Sequence, residues 1–252
     1  MIALSRQKII IMLLAVLELL LIQIILWLAD WQWQLDETFD NVDQVLFWIT
    51  ESGSAIIYAA LTSLFLVLIL SVFARQTPWI IIVFAALFLL MSTQIIKTGL
   101  KVFYKEPRPY TGYLIEQGVN LDHFYQEKRS VRKELVISAV EDNATMPQYL
   151  KNHWSKEVGY SFPSGHTAFA MTWLMMFILI LPMNRKRAWV LFSIVYAWTA
   201  LMMISRIRFG MHYPIDVFVS TLYVPIVCVI YAKLTQHTKF TPDQLFSYVT
   251  RR

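Results

Sequence analysis

Apolar residues run along this chain in six long blocks, and the polar residues gather between them. The blocks cover residues 9–29, 55–73, 79–96, 164–181, 188–204 and 214–234. A helix needs about 20 apolar residues to cross a hydrocarbon core about 30 Å thick, and the blocks are near that length. The pattern predicts an all-α membrane protein, a bundle of six transmembrane helices in a single domain over residues 1–252. Arg6 and Lys8 precede the first block, as they would in a signal peptide. The block is too long for that, and no small-x-small cleavage site follows, so it is read as a retained span. Glu18 and Gln23 lie within it and are expected to face the bundle, as polar groups in spans do. The long gap at 98–160 mixes acids and bases and predicts short amphipathic helices on the outer surface.

Composition supports the bilayer. Hydrophobic residues make up 57% and charged residues 15%, against roughly a quarter charged in ordinary soluble chains. The mean hydropathy is +0.52. The one cysteine, Cys228, excludes an internal disulfide and a cysteine-based metal site. Only seven glycines are present, with no repeat and no low-complexity tract, so long flexible linkers are not expected.

The net charge is +5, and its placement orients the bundle. Arg6 and Lys8, Arg75, then Arg185, Lys186 and Arg187, then Lys233, Lys239, Arg251 and Arg252 all fall on one side of a six-span chain. Short basic loops mark the cytoplasmic face. The loop at 30–54 carries Asp30, Asp36, Glu37, Asp40, Asp43 and Glu51 without Lys or Arg. It is expected outside, with Trp27, Trp31, Trp33 and Trp48 at the interface. Both termini are then cytoplasmic.

Three polar clusters fall at the outer ends of spans. Lys101 is followed after six residues by Arg108-Pro109. Pro163-Ser164-Gly165-His166 opens the fourth span. Ser205-Arg206, five residues, His212, three residues and Asp216 link the fifth and sixth. Loop charge alone sets this orientation, so the convergence is independent support for one site. In order and spacing the three motifs resemble the signature of the type 2 phosphatidic acid phosphatase superfamily, and the likeness to its bacterial members extends over nearly the whole chain.

The residues suit phosphoryl transfer, which needs charge neutralisation, a placed nucleophile and a proton for the leaving oxygen. Arg108 and Arg206 offer planar forks and Lys101 a point charge. Ser164 and Gly165 begin a helix, where free N–H groups and the dipole bind anions. Pro163 suits the entry to that helix. Gly165 is expected to let phosphate approach the backbone. His212 and Asp216, four apart near Pro214, can share a helix face, with the carboxylate fixing the ring's tautomer. The residues alone permit either histidine as nucleophile. The resemblance implies His212 as nucleophile, and His166 as general acid and later base. Lys97 and Lys105 are read as reaching toward lipid headgroups, and Arg208 is left open. His123, His153 and His237 lack motif context and are left out. Two histidines and an Asp form a possible metal-ligand set, but three neighbouring cations oppose it, and the resemblance implies neither metal nor cofactor.

The resemblance implies a lipid phosphate as substrate, its tails in the bilayer, with no nucleic-acid partner. It implies a bacterial inner membrane with a periplasmic active site. Phosphatidylglycerol phosphate, undecaprenyl pyrophosphate, phosphatidic acid, lysophosphatidic acid and diacylglycerol pyrophosphate all fall within it, because the motifs recognise phosphate alone. A dedicated undecaprenyl pyrophosphate phosphatase and a phosphotransferase are the alternatives among enzymes. A transporter would instead spread polar residues through the span centres, which are mostly apolar here. Ile215 departs from the family pattern, where that position is more often polar or basic. With residues 111–155 it is the expected seat of headgroup preference. Nothing in the pattern marks an oligomer seam.

Overall fold

The computed structural model describes residues 4–35, 38–54 and 56–236. Asp36, Glu37, Ala55, His237, Lys239, Arg251 and Arg252 lie outside the described residues. Helices α1 (Arg6–Leu28), α3 (Ile56–Phe73), α4 (Trp79–Tyr104), α10 (Lys186–Arg208) and α11 (Pro214–Thr235) are each long and apolar enough to cross a membrane. Their outward faces are apolar, with Leu13, Leu17, Ile57, Leu64, Phe84 and Val190 all more than half exposed.

The sixth apolar block is α9 (Gly165–Ile180), 16 residues long. That is roughly 24 Å at 1.5 Å per residue, short of a full hydrocarbon core. It is the axis of the bundle: α10, α11, α4, α1 and α3 pack around it, and every residue from His166 to Ile180 is buried. A helix surrounded on all sides has no polar face to show, which explains why its sequence is apolar apart from His166, Thr167 and Thr172.

A second layer sits over one end of the bundle. It comprises α2 (Asn41–Glu51), α5 (Thr111–Glu116), α6 (Leu121–Gln126), α7 (Arg129–Val140) and α8 (Gln148–Lys156). The cap has its own core, including Tyr110, Leu114, Phe124, Val136, Leu150 and Trp154, separate from the core of the bundle. The short helices expected at 98–160 are therefore a packed layer. The acidic loop contributes α2, a helix that the charge pattern did not announce. Its start is fixed by Asp40, whose carboxylate accepts from the Val42 and Asp43 N–H groups at 2.8 and 3.0 Å.

The cap is tied to the end of α10. Arg208 grips Asp43 of α2 through Nε at 2.8 Å and Nη2 at 2.9 Å. The Trp154 indole donates to Phe209 O at 2.9 Å, and the Tyr110 N–H to Gly210 O at 3.0 Å. Gly210 has φ +66 and closes α10 in the left-handed conformation that glycine adopts freely. The Trp33 ring lies over it, and its indole donates to Arg208 O at 3.1 Å.

Two expectations change. Gln23 faces the bundle and is buried, but Glu18 is exposed on the lipid side, accepting a hydrogen bond from Tyr196 at 3.0 Å. The two are five residues apart, too far round the helix for one face. Helix α4 also runs to Tyr104, eight residues past its expected end, so Lys97 and Lys101 stand on the helix itself.

Candidate active site

The three motifs meet where bundle and cap join. Lys101, Arg108, Gly165, His166 and His212 line one cavity of about 690 Å³, together with Gln94, Lys97 and Glu157. Beyond Gly53, Ser54 and Ser63 its remaining wall is apolar, built from Ile56, Ala59 and Ala60 of α3, Leu90 and Met91 of α4, and Phe169. Ile56 and Met91 are 90% and 63% exposed, so the cavity reaches the outer surface between α3 and α4.

The α11 start sets one histidine. Pro214 occupies the first turn, where its missing N–H is harmless. Asp216, two residues on, accepts from the Tyr213 N–H at 3.0 Å and stands 3.0 Å from His212 Nδ1. Both side chains are buried. When Asp216 is ionised it only accepts, which puts the proton on Nδ1 and leaves the lone pair on Nε2. Asp216 thus caps a helix and fixes a tautomer with the same oxygen.

The α9 start is locked to this turn. Ser164 caps α9, accepting from Thr167 N at 3.3 Å and Thr167 Oγ1 at 2.9 Å. Its N–H donates to Asp216 O at 3.2 Å, and its carbonyl accepts from Ser220 at 2.9 Å. His166 follows in the first turn, with Nε2 3.0 Å from the Ser54 hydroxyl. Gly165 has a different neighbour from the one expected. A Cβ there would meet Lys97 Cδ at 3.0 Å, so glycine makes room for a lysine side chain entering the cavity. Lys97 is accordingly a cavity residue, while Lys105 is exposed at the helix end.

The cations are held in different ways. Lys101 Nζ donates to Tyr160 O at 2.5 Å. Arg108 is buried and each of its nitrogens has a partner: Nε donates to Gly159 O at 2.8 Å, Nη1 to Met211 O at 3.0 Å and Nη2 to Glu157 at 2.7 Å. Arg206 is buried too, with Nη1 2.8 Å from His153 Nε2. Its Nε and Nη2 have no hydrogen-bond partner among the described residues. Arg108 is therefore held in place at the cavity wall, whereas Arg206 is fully buried, does not line the cavity, and keeps two donors unpaired among the described residues.

Burial, reinforced by Arg108, Arg206 and Lys101, pushes His212 well below the ordinary imidazole pKa of 6.5. Burial raises Glu157, but Arg108 and Arg206, with His166 and His153, outweigh it and hold the carboxyl well below the carboxylate range. His153 is lowered, chiefly by burial, against the upward pull of Glu51.

Sequence reasoning missed Glu157, Ser54 and His153. Glu157 and His153 stand at the C-terminal end of α8 and just beyond it, four residues apart, the only available signal. His153 is buried against Arg206, whereas His123 is exposed beside Glu127. Arg208, left open, belongs to the cap attachment. No group of three or more His, Cys, Asp or Glu able to hold a metal occurs among the described residues.

Fold and site together define a polytopic helical membrane protein with a cationic, histidine-bearing pocket at one end of its bundle. The chain belongs to the PAP2 superfamily, whose model matches residues 82–240. It is 39% identical over 211 residues to a phosphatidylglycerophosphatase B of Haemophilus influenzae, covering 82% of this chain and 87% of that one. It is 32% identical over 209 residues to the protein of the same name from Escherichia coli, covering 81% and 80%. The spans and these relatives make it a bacterial membrane protein.

Proposed function

We propose that this chain is an integral-membrane lipid phosphatase that hydrolyses phosphatidylglycerol phosphate through a phosphohistidine, without a metal. The cavity carries this reading. It joins a cationic end to an apolar wall that reaches the lipid-facing surface, so a phosphate can enter while its tails stay in the bilayer. Phosphatidic acid, lysophosphatidic acid, diacylglycerol pyrophosphate and undecaprenyl pyrophosphate present the same phosphate to the same groups. The names of the relatives favour phosphatidylglycerol phosphate.

In the first step the His212 Nε2 lone pair attacks phosphorus and the bond to the lipid oxygen breaks. Asp216 steadies the positive charge on the ring. His166 gives its proton to the departing oxygen. Arg206, Lys101, Arg108 and the α9 N-terminus hold the charge spread over the phosphoryl oxygens. In the second step His166 takes a proton from water, water oxygen bonds to phosphorus, the P–N bond breaks and inorganic phosphate leaves. The Asp216–His212 hydrogen bond supports this division of roles, because His166 has a serine as its neighbour instead.

The topology follows the loop charges: both termini cytoplasmic and the capped end of the bundle periplasmic, in the inner membrane. The whole chain acts as one domain, with residues 98–160 forming most of the cap.

The test is phosphate release by purified protein in detergent with EDTA, across phosphatidylglycerol phosphate, phosphatidic acid and undecaprenyl pyrophosphate. Release by wild type with loss in His212→Ala is expected. No release from any lipid, or equal release by the variant, overturns the reading.

A further inference from the structure

The hydrogen-bonding polarity of an arginine is fixed. All five of its N–H groups donate and none accepts. Arg206 Nη1 lies 2.8 Å from His153 Nε2, so that nitrogen is the acceptor and carries the lone pair. The proton of a neutral imidazole must then sit on Nδ1, which points at Glu51 Oε1 at 3.1 Å. The direction of the whole chain is fixed: Arg206 donates to His153, and His153 donates to Glu51.

Each member comes from a different part of the molecule. Glu51 ends α2, His153 is on α8 and Arg206 is in the last turn of α10. The His153 side chain is 1% exposed and that of Glu51 12%, and the Phe47 ring meets the imidazole edge-on with centroids 6.0 Å apart. Beside this contact Thr50 and Ser205 hydroxyls bond across the α2–α10 seam at 2.5 Å. The bond to His153 engages one end of the guanidinium and leaves Nε and Nη2 unpaired. A buried, charged fork with two unpaired donors is preformed to donate to two phosphate oxygens, provided something stops it rotating.

We propose that His153 and Glu51 are positioning residues for phosphate: Glu51 fixes the tautomer of His153, and His153 aims the Arg206 fork into the anion site. This rests on the reading above, in which Arg206 binds the phosphoryl group. The cap then has a chemical task as well as a structural one. The last residue of α2 and one face of α8 set the orientation of a cation rooted in the bundle. A protonated His153, or one with its proton on Nε2, would present N–H against N–H and release the fork.

The test uses the full-length protein in detergent with phosphatidic acid, measuring kcat, KM, the inhibition constant of inorganic phosphate and the thermal midpoint. His153→Leu removes the acceptor, and His153→Gln restores one, because the glutamine amide oxygen falls near the place of Nε2. His153→Leu is expected to lower kcat/KM and weaken phosphate inhibition together, by about 10- to 100-fold, the range for losing a hydrogen bond to a charged group. His153→Gln is expected to stay within about fivefold of wild type in both. A scaffold role alone would cut the amount of folded enzyme and leave its inhibition constant unchanged. Wild-type inhibition in a folded His153→Leu, or a glutamine variant as impaired as the leucine one, overturns the proposal. Should His153→Leu not fold, Glu51→Ala decides: weaker phosphate inhibition supports the relay and an unchanged constant refutes it. Arg206→Gln is the control for the underlying reading. If it too leaves phosphate inhibition unchanged, the anion-site assignment fails and this inference with it. If it weakens inhibition while His153→Leu does not, only the relay fails.

Discussion

At the scale of single residues, His212 combines three properties a nucleophile needs: a fixed tautomer, a free Nε2 and a neutral ring. Replacing it by alanine should lower turnover by about a thousandfold or more and abolish phosphoenzyme labelling. Labelled phosphate trapped on the variant would exclude the assignment. The depressed pKa of His212 also sets a pH profile. The ring stays neutral as pH falls through 6.5, the ordinary imidazole value, so the loss of kcat/KM that comes from protonating His212 should appear only below it, through the lower folded pKa. Stability has the opposite sensitivity. Below 6.5 the unfolded chain binds a proton that the folded site refuses, so stability falls as pH drops from 6.5 toward the folded value. A rate profile that collapses at 6.5 while the protein remains folded would contradict this. Most of this chemistry was legible in sequence, since the donors and acceptors of each motif lie within a few residues of each other. The state of Arg108 was not. Its carbonyl partners Gly159 and Met211 carry no side-chain signal, so the bonds that hold it in place could not be read from the sequence.

At the scale of elements, the bilayer made five helices readable, because span length and composition are imposed from outside. The same reasoning worked less well for α9, which answers to its neighbours and is shorter. It overlooked α2, whose packing surface becomes visible only once α10 lies beneath it. Glu51 and His153 are likewise separated by 102 residues, and no local pattern joins them. The α2 attachment gives two predictions. Asp43→Ala removes the carboxylate that Arg208 grips with two nitrogens, at a cost of about 1–3 kcal/mol. Gly210→Ala forces a left-handed alanine, costing roughly 1–2 kcal/mol, and places its Cβ 2.6 Å from the Trp33 ring. Trp33→Ala added to Gly210→Ala should relieve the clash but not the backbone cost. Thermal midpoints of the three variants in detergent check both. Wild-type stability in Gly210→Ala would mean that the cap is not seated on the end of α10 as described.

At the scale of the whole molecule, the cation cluster stands between two cores, and its cavity leads outward between α3 and α4 rather than through the cap. That arrangement predicts a division between lipid and water-soluble substrates. Ala59 lines the apolar wall and is half-buried, so a larger side chain there should narrow the lipid path. Ala59→Phe should raise KM for long-chain phosphatidic acid by about tenfold, from lost apolar contact along the tails. It should leave p-nitrophenyl phosphate hydrolysis within about twofold of wild type, since a small ester needs only the charged end of the cavity. Leu13→Phe, on the exposed face of α1, is the control for a general effect of surface bulk and should change neither rate. Equal loss on both substrates in Ala59→Phe would mean that the substitution reaches the reacting groups. No loss on either would place the lipid elsewhere, because a tail lying between α3 and α4 has to pass this wall to bring its phosphate to His212.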